Sequence, residues 1–267
     1  MIRAAPIKLA LLLTALTAAS FTAAQESELR AIPATEAART LTIDAELLAE
    51  HPALLRARER QVRLLRSIPD ARIRFEDTAT ASRTYVDGLP PGTDQLQIES
   101  AEDVQAVLSA LAPYLGLTEH DRYDHIVEHG MLPAAATWLA IPTPNGHMVL
   151  NRALILMVDP DDATLRGING IIEHGARLPT EPVLAESEAI EHALAAVGDR
   201  TAWAAEGHGA YPVYAVGEPT CLLWQVLLEP AAENANGAED AAVVYVFADG
   251  STTRDRGRLR CPEGAED

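Results

Sequence analysis

Twice along the chain a helix-period apolar pattern closes on a glycine and is followed by runs of strand-like sequence, and this recurrence sets the fold class. The first helix opens at Ser100, whose side chain can cap the initial turn, with Glu102 and Asp103 near the positive end of the helix dipole. Val104, Val107, Leu108, Leu111 and Leu115 fall on one face, and Gly116 is the stop. The second covers residues 186–197, apolar at Ala189, Ile190, Ala193, Leu194 and Val197, and Gly198 ends it. Extended segments follow the first helix at residues 125–128, 137–141, 147–150, 154–158 and 165–172, with Pro144-Asn145-Gly146 as a turn between two of them. Others follow the second helix at residues 211–216, 222–228 and 242–248, with residues 232–240 as an exposed polar loop. Two short strands, residues 71–75 and 82–86, precede the first helix. The pattern predicts an α+β protein of two lobes, each an antiparallel sheet packed against a helix.

A further helical pattern spans residues 45–66, where Leu47, Leu48, Leu54, Leu55, Val62 and Leu65 recur at turn spacing. Arg56, Arg58, Arg60, Arg63 and Arg66 lie between them and read as a solvated face, with docking to an acidic partner as the rival reading.

The first residues order charge, apolar core and small residues as a cleavable secretory signal does: Arg3 and Lys8, then residues 9–13, then Thr22-Ala23-Ala24. The apolar run is short for a bilayer span, no cysteine marks a lipoprotein site, and no later segment reaches spanning length. The expected product is a periplasmic or secreted protein. Loss of Arg3 and Lys8 would move the formal charge from -18 to -20, an acidity that disfavours nucleic acid and anionic lipid as partners. Cys221 and Cys261 are the only cysteines, and an even count in an exported chain favours a disulfide.

Thr137 to Asp159, reading TWLAIPTPNGHMVLNRALILMVD, resembles the core motif of fungalysin and thermolysin propeptides, the FTP region, with Asn145, Gly146, Val149 and Asp159 on matching positions. Leu165-Arg166-Gly167-Ile168-Asn169-Gly170 resembles the strand after that motif, and residues 100–117 are similar to the helix before it. Residues 184–190 resemble the opening of a PepSY helix, Leu222-Leu223-Trp224-Gln225-Val226 its central strand, and residues 244–251 its last strand and turn. The likeness runs over residues 70–260. It departs at Ile141 and Pro142, where the family has glutamines, at Met148, where it has proline, and at Asn151-Arg152, which replace small residues.

The residue pattern thus gives a signal peptide at 1–24 and, in the polar, aperiodic stretch after it, a flexible leader at 25–44; the resemblance implies an FTP-like region at 45–175 and a PepSY-like domain at 176–262, with cystatin-like lobes. Such regions assist folding of an attached zinc peptidase and block its cleft. No His-Glu-x-x-His occurs in this sequence, so the implied role is non-enzymatic and in trans: an inhibitor or folding assistant of a thermolysin-type metallopeptidase, without cofactor. The turn residues Asn145, Gly146, His147, Met148 and Val149 are the expected partner contacts. A second expectation is an envelope binding or scaffold protein of PepSY type without a peptidase target.

His125-Ile126-Val127-Glu128-His129 fits the H-x-x-E-H zinc pattern, which would make the chain a zinc hydrolase; that geometry needs a helix, and Gly130 and Pro133 argue for a strand end instead. Asp159, Asp161 and Asp162 read as an acidic turn rather than a calcium loop. Trp138 and Trp224 are expected in the core. No G-x-S-x-G, phosphate loop or C-x-x-C is present.

Overall fold

The computed structural model describes residues 43–68, 72–78, 81–93, 95–132, 135–198, 203, 208–217, 220–230, 241–256, 259 and 261. The expected signal peptide and most of the leader lie outside them, as does the expected loop at 232–240. Among the described residues the protein is α+β, with three α-helices and two antiparallel-dominated sheets of six and five strands. None of these helices is long and apolar enough to cross a membrane. The chain divides into two compact units, residues 1–144 with 151–177, and residues 145–150 with 178–267.

The first unit contains α1 (Pro52–Leu65), β1 (Arg72–Asp77), β2 (Ser82–Asp87), α2 (Ala101–Leu115), β3 (His125–Leu132), β4 (Ala135–Ile141), β6 (Leu154–Val158) and β7 (Leu165–Glu173). Its sheet runs β1-β2-β7-β6-β4-β3 with every neighbouring pair antiparallel. Period-2 alternation decides which side faces the helices: Leu154, Leu156 and Val158 of β6 are buried while Ile155 and Met157 between them are only half-buried. Those three join Ile73, Val86, Trp138, Ala140, Ile168 and Ile172 under Leu65 of α1 and Val104, Val107, Leu108, Leu111 and Leu115 of α2. Each leucine, isoleucine and valine among them contributes about 1.5–3 kcal/mol by leaving water.

α2 begins as its sequence dictates. Ser100 Oγ accepts from the Asp103 N–H at 3.2 Å, and Asp103 Oδ2 accepts from the Glu99 N–H at 3.0 Å. It ends at Gly116, which sits at φ 72° where an L side chain is strained. The same glycine lets α2 approach α1, because a Cβ there would overlap the Gln61 carboxamide.

α1 is shorter than its apolar spacing predicts. It starts at Pro52, whose missing N–H suits a first helical position and whose ring biases His51 away from helical backbone. Residues 45–50 form turns instead, one fastened by Asp44 Oδ1 accepting from the Leu47 N–H at 3.1 Å.

The second unit contains β5 (Met148–Val149), α3 (Glu186–Ala196), β8 (Gly209–Ala215), β9 (Cys221–Leu228), β10 (Ala242–Val246) and β11 (Thr252–Thr253). The order is β11-β10-β9-β8-β5, antiparallel except for the parallel pair β5 and β8. Ala189 and Ala193 of α3 pack on Val226, Leu228, Val244 and Val246. Leu150, Val213, Leu223, Tyr245 and Phe247 form a separate apolar cluster. Cys221 and Cys261 form a disulfide with Cα atoms 5.8 Å apart, tying residue 261 to the start of β9.

Candidate functional site

The turn expected to contact a partner is built into the second unit. Asn145 takes a left-handed conformation (φ 52°) followed by Gly146 (φ 85°), and Asn145 Nδ2 donates to the Tyr214 hydroxyl at 3.3 Å. His147 Nε2 lies 3.0 Å from the Thr180 carbonyl oxygen, and its ring stands edge-on to Tyr214 at 5.9 Å. Met148 and Val149 pair with Val213 and Tyr214 of β8, and Val149 is buried. Gly146 is exposed and Asn145, His147 and Met148 are half-buried, so those four keep surface that another molecule can reach.

The H-x-x-E-H residues occupy β3 rather than a helix. His125 pairs with Ile141, Glu128 with Trp138 and His129 with Thr137. Four residue steps along the strand set the two histidines roughly 13 Å apart, and Glu128 points to the opposite face. Among the described residues no three His, Cys, Asp or Glu side chains gather as a metal site. At the acidic turn, Asp159 Oδ2 accepts from Arg166 Nη2 at 2.8 Å, and Asp159 Oδ1 and Asp162 Oδ1 accept the Asp161 and Thr164 N–H groups at 2.9 and 3.0 Å. Trp138 is in the core as expected. Trp224 is half-buried, with Nε1 donating to the Leu184 carbonyl at 2.9 Å.

The densest polar constellation is one that the basic-stripe reading of α1 misplaced. Arg58 is fully buried rather than solvated. Its Nη1 donates to Gln61 Oε1 at 3.1 Å and to Thr84 Oγ1, and its Nη2 donates to Asp77 Oδ1 at 3.3 Å, Ser82 Oγ at 3.2 Å and the Arg83 carbonyl at 2.7 Å. The guanidinium also stacks over Phe75, 4.2 Å from the ring centre. Burial lowers its pKa, with Asp77 pulling the other way.

From Thr84 the chain of contacts continues. Thr84 Oγ1 is 2.8 Å from His174 Nε2, and His174 Nδ1 is 3.1 Å from Asp121 Oδ2. The Thr118 N–H and hydroxyl each donate to Asp121 Oδ2 at 2.8 Å, and the Gly175 N–H to Oδ1 at 2.8 Å. Burial pushes the Asp121 carboxyl up, but His174 and these N–H donors outweigh it and hold the carboxyl below its ordinary range. A groove of about 400 Å³, lined by Gln105, Leu108, Leu117, Thr118, Asp121 and Tyr123, opens beside this end of the relay.

Hydroxyl, imidazole and carboxylate follow one another as in a nucleophilic triad, but Thr84 is 0% exposed and its oxygen already accepts from Arg58. No substrate carbonyl reaches it in this arrangement. What the relay does is join α1, β2, the end of β7 and the loop at 117–124. On the other face of the sheet Arg83 Nε donates to Glu173 Oε1 at 2.7 Å.

A helical wheel contains the signal for Arg58: it lies four residues after Leu54 and four before Val62, on the buried stripe. His174 continues the alternation Ile168, Gly170, Ile172 towards the helices, and its N–H donates to the Ser82 carbonyl at 2.9 Å.

The fold and site thus define an α+β protein of two sheet units, one pinned through its core by a buried arginine. No protein-family model and no curated protein matches the chain.

Proposed function

We propose that the chain is an exported, non-enzymatic protein that binds a thermolysin-type metallopeptidase supplied by another chain and inhibits it or assists its folding. The observation that carries this reading is the order and spacing of the FTP-like and PepSY-like segments over residues 70–260, in a sequence without His-Glu-x-x-His. The Cys221–Cys261 disulfide accords with a periplasmic or secreted location. In this reading Asn145, Gly146, His147 and Met148 meet the peptidase at the surface, and Val149 anchors the segment in its own sheet.

The second reading is an envelope scaffold of PepSY type with no peptidase target. It is favoured by the departures at Ile141, Pro142 and Met148, two of which the fold uses internally: Ile141 and Pro142 are buried.

Titration of the disulfide-intact protein into a secreted thermolysin-type peptidase, followed with a short peptide substrate, separates the two. Saturable inhibition near one-to-one, weakened by His147→Ala, supports the peptidase reading. Full activity, and unchanged refolding of the peptidase, at micromolar excess supports the scaffold.

A further inference from the structure

The polarity of the hydrogen bonds between Arg58 and Asp121 is fixed at both ends. A guanidinium can only donate, so Thr84 Oγ1 accepts from Arg58; an ionised carboxylate can only accept, so His174 Nδ1 donates to Asp121. Thr84 Oγ1 meets only Arg58 and His174 among the described residues. Its hydroxyl hydrogen therefore has one acceptor, His174 Nε2, and the chain runs one way from Arg58 through Thr84 and a neutral His174 to Asp121. A second proton on His174 would sit on Nε2 and point at Thr84. The hydroxyl would then receive two donors and its own hydrogen would be buried without an acceptor, with a second cation brought up to the Arg58 side.

We propose that this relay is a pH-sensitive latch on α1, and that protonation of His174 releases α1 from the sheet. Among the described residues, the charged surroundings are these. Arg58 faces Thr84 from α1, Asp77 balances Arg58 from β1, and Asp121 faces the imidazole from the loop at 117–124. His120 precedes Asp121 in the same loop, and Arg177 donates to the Thr78 carbonyl at 2.6 Å nearby. Arg83 and Glu173 pair with each other on the opposite face of the sheet. The groove lined by Thr118 and Asp121 lies beside that end of the relay, where the His174 and Asp121 side chains are themselves 0% and 2% exposed. The inference does not depend on the peptidase reading.

The test is hydrogen exchange on the full, disulfide-intact chain at about pH 7.5 and about pH 5, with rates converted to protection factors. Protection across residues 54–65 should fall about tenfold or more at the lower pH, the effect of losing one buried hydrogen bond, while β9 and β10 keep theirs. His174→Gln should remove this pH step. An unchanged α1, or a step that survives in His174→Gln, overturns the proposal. If that variant does not fold, imidazole nitrogen shifts of the native protein decide: a neutral ring protonated at Nδ1 at pH 7.5, converting to imidazolium as α1 loses protection, upholds the latch, and an Nε2 proton already present at pH 7.5 defeats it.

Discussion

Arg58 Nη2 lies 3.3 Å from Asp77 Oδ1 with both side chains out of water, 0% and 6% exposed, so α1 is fastened to β1 by an ion pair that neither partner can leave uncompensated. Removing the cation alone leaves the buried Asp77 carboxylate without its counter-charge, with Ser82 Oγ as its remaining donor, and takes a donor from Thr84, Ser82 and the Arg83 carbonyl. Arg58→Met should therefore cost about 3–5 kcal/mol in urea unfolding at an unchanged slope. Arg58→Lys should recover less than half of that, since one ammonium cannot serve five acceptors. A cost within about 0.5 kcal/mol for Arg58→Met would mean the pair is not formed in solution.

Asp121 and Glu173 should tilt the acid limb of stability in opposite directions. The Asp121 carboxyl is depressed because His174 and its N–H donors outweigh burial, so its contribution is present above the unfolded pKa and lost as pH falls through the folded one. Glu173 is raised, because burial outweighs the pull of Arg83, so its contribution is present below the unfolded pKa and lost as pH rises through the folded one. Urea midpoints from acid to neutral pH should show Asp121→Asn flattening the fall at low pH and Glu173→Gln removing the decline on the way to neutral. Parallel curves for native protein and both variants would exclude these assignments.

The α2 boundaries and the α+β class are legible because cap, apolar face and glycine stop all agree there, and β6 because it is a short apolar run ended by the Asp159-Pro160 turn, though its five apolar residues do not say which face is buried. Where signals conflict, the local pattern misleads. The apolar leucines at 47 and 48 extended the α1 pattern past Pro52, and the arginine run hid the one arginine at helical spacing with Leu54 and Val62. The relay was illegible for a different reason. Thr84, Asp121 and His174 come from three separate places, and only the β2–β7 register, Thr84 opposite Ile172, brings the first and last together. No short-range pattern encodes that pairing.

Cleaving the disulfide should loosen the second unit and spare the first. The two cysteines are 40 residues apart, and opening a loop of that size costs about 4 kcal/mol in the chain-entropy model. Replacing both by serine should speed exchange at β9 and β10 amides while β2 and β7 amides hold their protection. Equal loosening of both sheets would show that the two units unfold as one.

Two glycines with similar backbones separate strain from packing. Gly116 (φ 72°) and Gly92 (φ 82°) both occupy the left-handed region, but a Cβ at 92 meets nothing within 4 Å, whereas one at 116 overlaps Gln61. Gly92→Ala should cost only the backbone strain, about 1 kcal/mol. Gly116→Ala adds the displacement of Gln61, whose Nε2 donates to the Tyr114 carbonyl at 2.7 Å and whose Oε1 accepts from Arg58. Losing those bonds brings the expected total to about 3 kcal/mol by urea unfolding. The double change Gly116→Ala with Gln61→Ala should then show strong coupling, because once the carboxamide is gone the added methyl displaces nothing. Simple additivity in that cycle would place the cost of Gly116→Ala in the backbone and leave Gln61 out of the contact between α1 and α2.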